Sequence, residues 1–254
     1  MLTKEDINEL RDFFENERVR GKKLLKYSID PNLLTVKSKF KISFGLNKYK
    51  EIILKEETGL ELGGRGKDLF ILIYLIKNEK MIKDGQITLL GSEIKEIEED
   101  NVHFGLLCLI EVSESSEKEI GYIDNLSFVS NGIEGFMIRS IPRKFWCRIS
   151  SEVLKKGFSF EFLGTAFYYL FKESYGDKID RIEIFFINND LESIKEFLKV
   201  NASIQNKYLE SNREKIEKWR KKIECEYDWG CHICPYRFEC QKFKEILIKR
   251  ENIE

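Results

Sequence analysis

LFILIYLI, residues 69–76, is the longest apolar run in the chain, and how it is read decides the fold. A helix that crosses a bilayer needs about 20 apolar residues, so this run is far too short for that role. Its β-branched and aromatic content reads as a buried strand. C-terminal to it, a Lys-Asp-Gly turn (83–85) leads into QITLLG (86–91), a second strand. FGLLCLIEV (104–112) is a third apolar run bounded by polar loops, and Cys108 in its middle reads as a core residue. KFWCRIS (144–150) alternates: Phe145, Cys147 and Ile149 fall on one face, Lys144, Trp146 and Arg148 on the other. RIEIFFI (181–187) is a further strand.

N-terminal to the run, LELGGRGK (60–67) lacks the spacing and Lys-Ser/Thr ending of a phosphate-binding loop and reads as a plain turn. KFKISF directs Phe40, Ile42 and Phe44 inward; with KYKEIIL beyond a Gly-Leu-Asn turn it predicts a hairpin. The chain opens on an amphipathic helix, with Thr3 and Asp6 spaced as a cap and Ile7, Leu10, Phe13 and Phe14 on one face. One helix is expected over 150–176, with Leu163, Ala166, Phe167, Leu170 and Phe171 on its inner side. Asn189 and Glu192 are spaced to cap another from Leu191, broken near Asn201 and running through NREKIEKWRKKIE into the tail. The expected class is α+β (mixed α/β): a central mixed sheet, flanking helices and a short C-terminal cysteine-rich metal-binding segment. Three regions are expected: a helix and hairpin over 1–57, an α/β core over 58–200, and a helical segment with the cysteine cluster over 201–254.

Of the 254 residues 42% are hydrophobic and 34% charged, and the formal net charge is −1, so no globally basic surface for nucleic acid is expected. Acidic residues interleave with the basic ones in NREKIEKWRKKIECE, which reads as a solvated helix face. The charged N-terminus shows no apolar export signal, and no run is long enough for a membrane span. A cytoplasmic location follows, where clustered thiols bind metal more often than they form disulfides. His103 reads as a turn residue, and no Ser-His-Asp or Cys-His nucleophile arrangement is visible.

The chemistry concentrates in CEYDWGCHICPYRFEC (225–240), which holds four of the six cysteines. Cys225, Cys231, Cys234 and Cys240 are enough to give each iron of a [4Fe–4S] cubane one thiolate. The same four would hold zinc as a structural clasp, with His232 as a substitute ligand. Iron–sulfur is the first reading because the spacing lacks the paired C-x2-C pattern of a zinc ribbon.

Several segments resemble, in order, the acetyl-CoA synthase family, in its form as the β subunit of the acetyl-CoA decarbonylase/synthase complex. They are FENERVR (14–20), LELGG (60–64), MIKDGQITLLGSEIKEI (81–97), GIEGFMIRSIPRKFWCRIS (132–150), KGFSFEFLGTAFYYLFKESYGDKIDRIEIFFI (156–187) and YDWGCHIC (227–234). The resemblance implies an iron–sulfur protein of one-carbon metabolism, working with subunits of a CO dehydrogenase/acetyl-CoA synthase-type complex or with a redox protein. In that family the A-cluster, a cubane bridged to two nickel ions, joins methyl, CO and CoA. Here Ile138 stands where the family has histidine, the loop between the second and third cysteines is shorter, and no Cys-Gly-Cys pair for nickel occurs. The sequence thus reads as a truncated, divergent member lacking most of the A-cluster domain. It is expected to carry no nickel alone and to act as an accessory subunit more than an autonomous acyltransferase.

The family also associates a tryptophan among arginines with CoA. This implies a CoA site at Trp146, Arg139, Arg143 and Arg148, with Arg139 and Arg143 in the loop before the strand. The tail CHICPYRFEC is also similar to RecB-like [4Fe–4S] nucleases, whose acidic metal site has no clear counterpart here.

Overall fold

The computed structural model describes residues 2–29, 52–64, 66–77, 80–112, 132–141 and 144–222. The chain divides into two compact units, Met1–Val200 and Asn201–Glu254. The tail cysteines and the predicted hairpin strand KFKISF lie outside the described residues.

Helix α1 (Lys4–Val19) starts as its sequence predicts. The Asp6 N–H donates to Thr3 Oγ1 at 3.3 Å and the Thr3 N–H to Asp6 Oδ2 at 2.9 Å, a reciprocal capping box. Ile7, Leu10, Phe13 and Phe14 are all buried.

Nine strands are present among the described residues: β1 (Leu24–Ser28), β2 (Thr58–Gly63), β3 (Leu69–Lys77), β4 (Gln86–Gly91), β5 (Asn101–Val102), β6 (Phe104–Val112), β7 (Phe136–Ile141), β8 (Lys144–Ser150) and β9 (Ile179–Asn188). The mixed α/β class holds, and the strands are divided between two sheets, both mixed. The larger has the order β1-β4-β9-β6-β3, with β3–β6 and β4–β9 parallel; the smaller has the order β5-β2-β8-β7, with only β2–β5 parallel.

In the larger sheet β6 is buried at every position, as its unbroken apolar run requires. The run that reads as a buried strand, now β3, is a strand at the end of the sheet order. Only Phe70 and Ile76 are buried in it; Leu69, Ile71, Leu72, Ile73, Tyr74 and Leu75 are half-buried. A strand with one paired neighbour leaves more of each side chain accessible than a central one does.

Aromatic contacts fill one side of this sheet, where Phe14 lies 4.7 Å from Phe185 and Phe70 stacks on Phe197 at 5.0 Å. A second core cluster joins Leu106, Cys108, Ile184 and Phe186 to Leu62, Phe136, Cys147 and Ile149 of the smaller sheet. Leu163, Ala166, Phe167 and Phe171 of helix α3 (Phe160–Tyr175) complete it.

Three local expectations are corrected. LELGG is not a turn as a whole: Leu60–Gly63 belongs to β2, because Leu60 and Leu62 bury their side chains against the core. The single helix over 150–176 is two, α2 (Ser151–Lys155) and α3. Ser159 caps the second by accepting from the Phe162 N–H at 3.1 Å, and a local side-chain cap outcompetes a continuous helix there. Helix α4 (Leu191–Lys222) is uninterrupted and is capped by Asp190, which accepts from the Ser193 N–H at 3.0 Å. Asn189, expected as that cap, takes φ +53° and makes the turn out of β9, donating its N–H to the His103 carbonyl at 2.9 Å.

Candidate functional site

β8 is the central strand of the site, flanked by β2 and β7. The register sets Trp146 opposite Gly63 on β2 and Arg139 on β7; Arg148 is opposite Glu61 and Met137. Cys147 and Ile149 point into the core with 0% exposure, while Trp146 and Arg148 are half-buried on the other face, as the period of two predicts. Arg139 lies within β7, not in the loop where the sequence reading put it. It becomes the cross-strand neighbour of Trp146 because the pairing of β7 with β8 runs unbroken from Phe136 opposite Ile149 to Ile141 opposite Lys144. Arg143 lies outside the described residues.

Arg148 is held in place. Its Nε donates to Glu61 Oε2 at 3.1 Å and its Nη1 to the Ile53 carbonyl at 3.2 Å; the two side chains are 16% and 21% exposed. Glu61 is the residue that sequence reading missed. Its acidic side chain faces a basic one across the sheet, but with β2 read as a turn no cross-strand partner was in view.

Two of the six cysteines are set apart from metal chemistry. Burial pushes the thiols of Cys108 and Cys147 far up, and a buried neutral thiol is a core hydrophobe, not a ligand. The other four, Cys225, Cys231, Cys234 and Cys240, lie outside the described residues. Among the described residues no group of three or more His, Cys, Asp or Glu side chains could hold a metal ion.

Two acidic residues on strands are buried. Glu183 accepts from Arg11 and from the Lys83 N–H at 3.0 Å; Glu111, fully buried, accepts from the Lys80 N–H at 3.2 Å through Oε1, while its Oε2 meets no hydrogen-bond donor among the described residues. His103 Nδ1 accepts the Asp68 N–H at 2.9 Å, and burial, then the Lys67 charge, holds the imidazole below its ordinary value. No helix of the described residues is long and apolar enough to cross a membrane.

Residues 40–193 match the family model of the CO dehydrogenase/acetyl-CoA synthase complex beta subunit. The chain is 27% identical over 190 residues to the acetyl-CoA decarbonylase/synthase complex subunit beta of Methanopyrus kandleri, covering 72% of this chain and 40% of that protein. It is 29% identical over 168 residues to the subunit of the same name in Methanothermobacter thermautotrophicus, covering 63% and 34%. A third relative, the carbon monoxide dehydrogenase/acetyl-CoA synthase subunit alpha of Moorella thermoacetica, is 28% identical over 184 residues, covering 71% and 24%. The chain therefore spans well under half the length of each of these relatives. With the matched segment taking in more than half of the 254 residues, the face of β8 included, the chain belongs to the CO dehydrogenase/acetyl-CoA synthase complex beta subunit family.

Proposed function

We propose that this chain is an acetyl-CoA-synthase-like subunit of one-carbon metabolism that binds CoA on the outward face of β8 and carries a [4Fe–4S] cluster on its tail. It would act in the cytoplasm as an accessory component of a CO dehydrogenase/acetyl-CoA synthase-type complex, exchanging electrons with a redox partner. The support for the CoA site is one observation: within the family segment, a half-buried indole at Trp146 lies between Arg148, two positions along the strand, and Arg139, directly across it. An indole stacks on adenine, and guanidinium groups pair with phosphate. Arg143 is the remaining cation assigned to this site. Nickel is assigned to no residue here, since no Cys-Gly-Cys pair occurs in these 254 residues.

CoA titration by calorimetry tests the site. Wild type is expected to bind, and Trp146→Ala to bind about tenfold more weakly, the usual worth of one aromatic stack on a base. Equal affinity in the two proteins would end the CoA assignment.

Cys225, Cys231, Cys234 and Cys240 would hold the cluster, which when bound supplies one-electron transfer. Protein purified without oxygen is expected to carry about four irons and four sulfides per chain, lost when Cys231 and Cys234 are replaced by serine. Colourless protein with one zinc would establish a structural clasp instead.

A further inference from the structure

Arg148 shares the outward face of β8 with Trp146, yet its guanidinium is already engaged. Its Nε donates to Glu61 Oε2 at 3.1 Å, so the fork of Nε and Nη2 is closed to a phosphate. Its Nη1 donates to the Ile53 carbonyl at 3.2 Å, in the irregular stretch before β2. Ile53 is 2% exposed, whereas Ile52 and Leu54 on either side are 62% and 53% exposed, so the stretch touches the body at one residue. Beyond it the chain turns on itself: the Leu54 carbonyl accepts the Glu57 N–H at 3.2 Å, and Glu57 Oε2 accepts the Leu54 N–H at 2.9 Å. Glu61 is folded back over Gly64, where a Cβ would come within 2.1 Å of its Oε1. The ion pair is not sealed, since the Arg148 and Glu61 side chains keep 16% and 21% exposure.

Resting on the CoA reading above, we propose that Glu61 is a built-in competitor for Arg148, holding as a carboxylate the place that a CoA phosphate takes on binding. A phosphate group is more strongly charged than a carboxylate and offers three acceptor oxygens, so it displaces Glu61 from the fork. Glu61 then turns off Gly64 into water. The guanidinium is planar and moves as one piece, so turning its fork to the phosphate also gives up the Ile53 carbonyl. Phosphate binding and release of residues 52–54 are therefore a single exchange. Affinity is lower than an unengaged arginine would give, because only the chains with Arg148 free are competent to bind.

Hydrogen exchange of residues 52–58 is followed with CoA and with adenosine, which offers the indole a base and carries no phosphate. Saturating CoA is expected to speed exchange there about tenfold, the worth of one charge-assisted hydrogen bond. Adenosine is expected to leave it unchanged. Glu61→Gln, which keeps the shape of the resident partner without its charge, is expected to bind CoA several-fold more tightly. Arg148→Gln is expected to exchange fast over 52–58 with or without CoA. Exchange in wild type that is unchanged or slowed by CoA, or speeded equally by adenosine, would overturn the proposal, as would wild-type affinity in Glu61→Gln. Should Arg148→Gln fail to fold, the wild-type and Glu61→Gln measurements still decide. If Trp146→Ala binds CoA as wild type does, the parent reading falls and takes this one with it; weakened binding there, with exchange over 52–58 in wild type indifferent to CoA, sinks this inference alone.

Discussion

Glu93→Ala is expected to lower the free energy of unfolding by roughly 3–5 kcal/mol, since it strands three donors at once. Glu93 is 6% exposed; its Oε1 accepts the N–H groups of Ile94 and Phe160, each at 2.8 Å, and its Oε2 accepts the Tyr27 hydroxyl at 2.9 Å. These donors come from a one-turn 3₁₀ helix (Ile94–Glu96), the first turn of α3, and β1. One carboxylate thus caps two helices and anchors the edge strand, and no water has ready access to replace it. Burial, then the nearby Glu93 charge, pushes the Tyr27 phenol well up, so it stays protonated as the donor this contact needs. Glu93→Gln keeps an oxygen for the two N–H groups and is expected to cost only about 1 kcal/mol. Urea unfolding of the three proteins checks this. An alanine variant within 1 kcal/mol of wild type would show that these bonds are exchanged for water at no cost, contrary to the argument.

Arg11→Ala is the second large effect, about 3–5 kcal/mol, because it leaves a buried carboxylate without its counter-charge. Glu183 is 1% exposed in β9 and takes a two-pronged contact from Arg11 of α1, Nε to Oε1 at 3.3 Å and Nη2 to Oε2. The Lys83 N–H adds a third donor at 3.0 Å. An ion pair of this kind gives little net stability over a neutral pair, yet breaking one side is costly. The double replacement Arg11→Met with Glu183→Gln removes both charges and leaves an acceptor for Lys83, so it should recover most of the loss. A double-mutant cycle measures the coupling, expected at 2 kcal/mol or more. Additive single effects would mean that the pair is solvated and the burial argument fails.

Both predictions rest on contacts no local pattern displays. Glu93 and Phe160 are 67 positions apart, and Arg11 and Glu183 are 172 apart. The same holds in the candidate site, where Glu61 and Arg148 are separated by 87 positions. Sequence reading placed Trp146 and Arg148 on one outward strand face because alternation along one strand is a local property. It missed Glu61 because LELGG carries glycines that read as a turn, and only pairing with β8 draws Leu60–Gly63 into a strand. Arg139 was assigned to a loop for a related reason: its strand becomes evident through its partner.

By itself the sequence determined what depends on nearest neighbours. The Thr3–Asp6 cap, the buried face of α1, the apolar runs that become β3, β4, β6 and β9, and the core placement of Cys108 all follow from spacing and side-chain type. Tertiary structure alone decided how the strands divide between two sheets, that β3 lies half-buried at the end of one of them, and which partners Arg148, Glu93 and Glu183 meet. Propensity and periodicity act over a few residues, whereas partner choice is set by burial and charge pairing between segments far apart in the chain, which exist only once the core has closed.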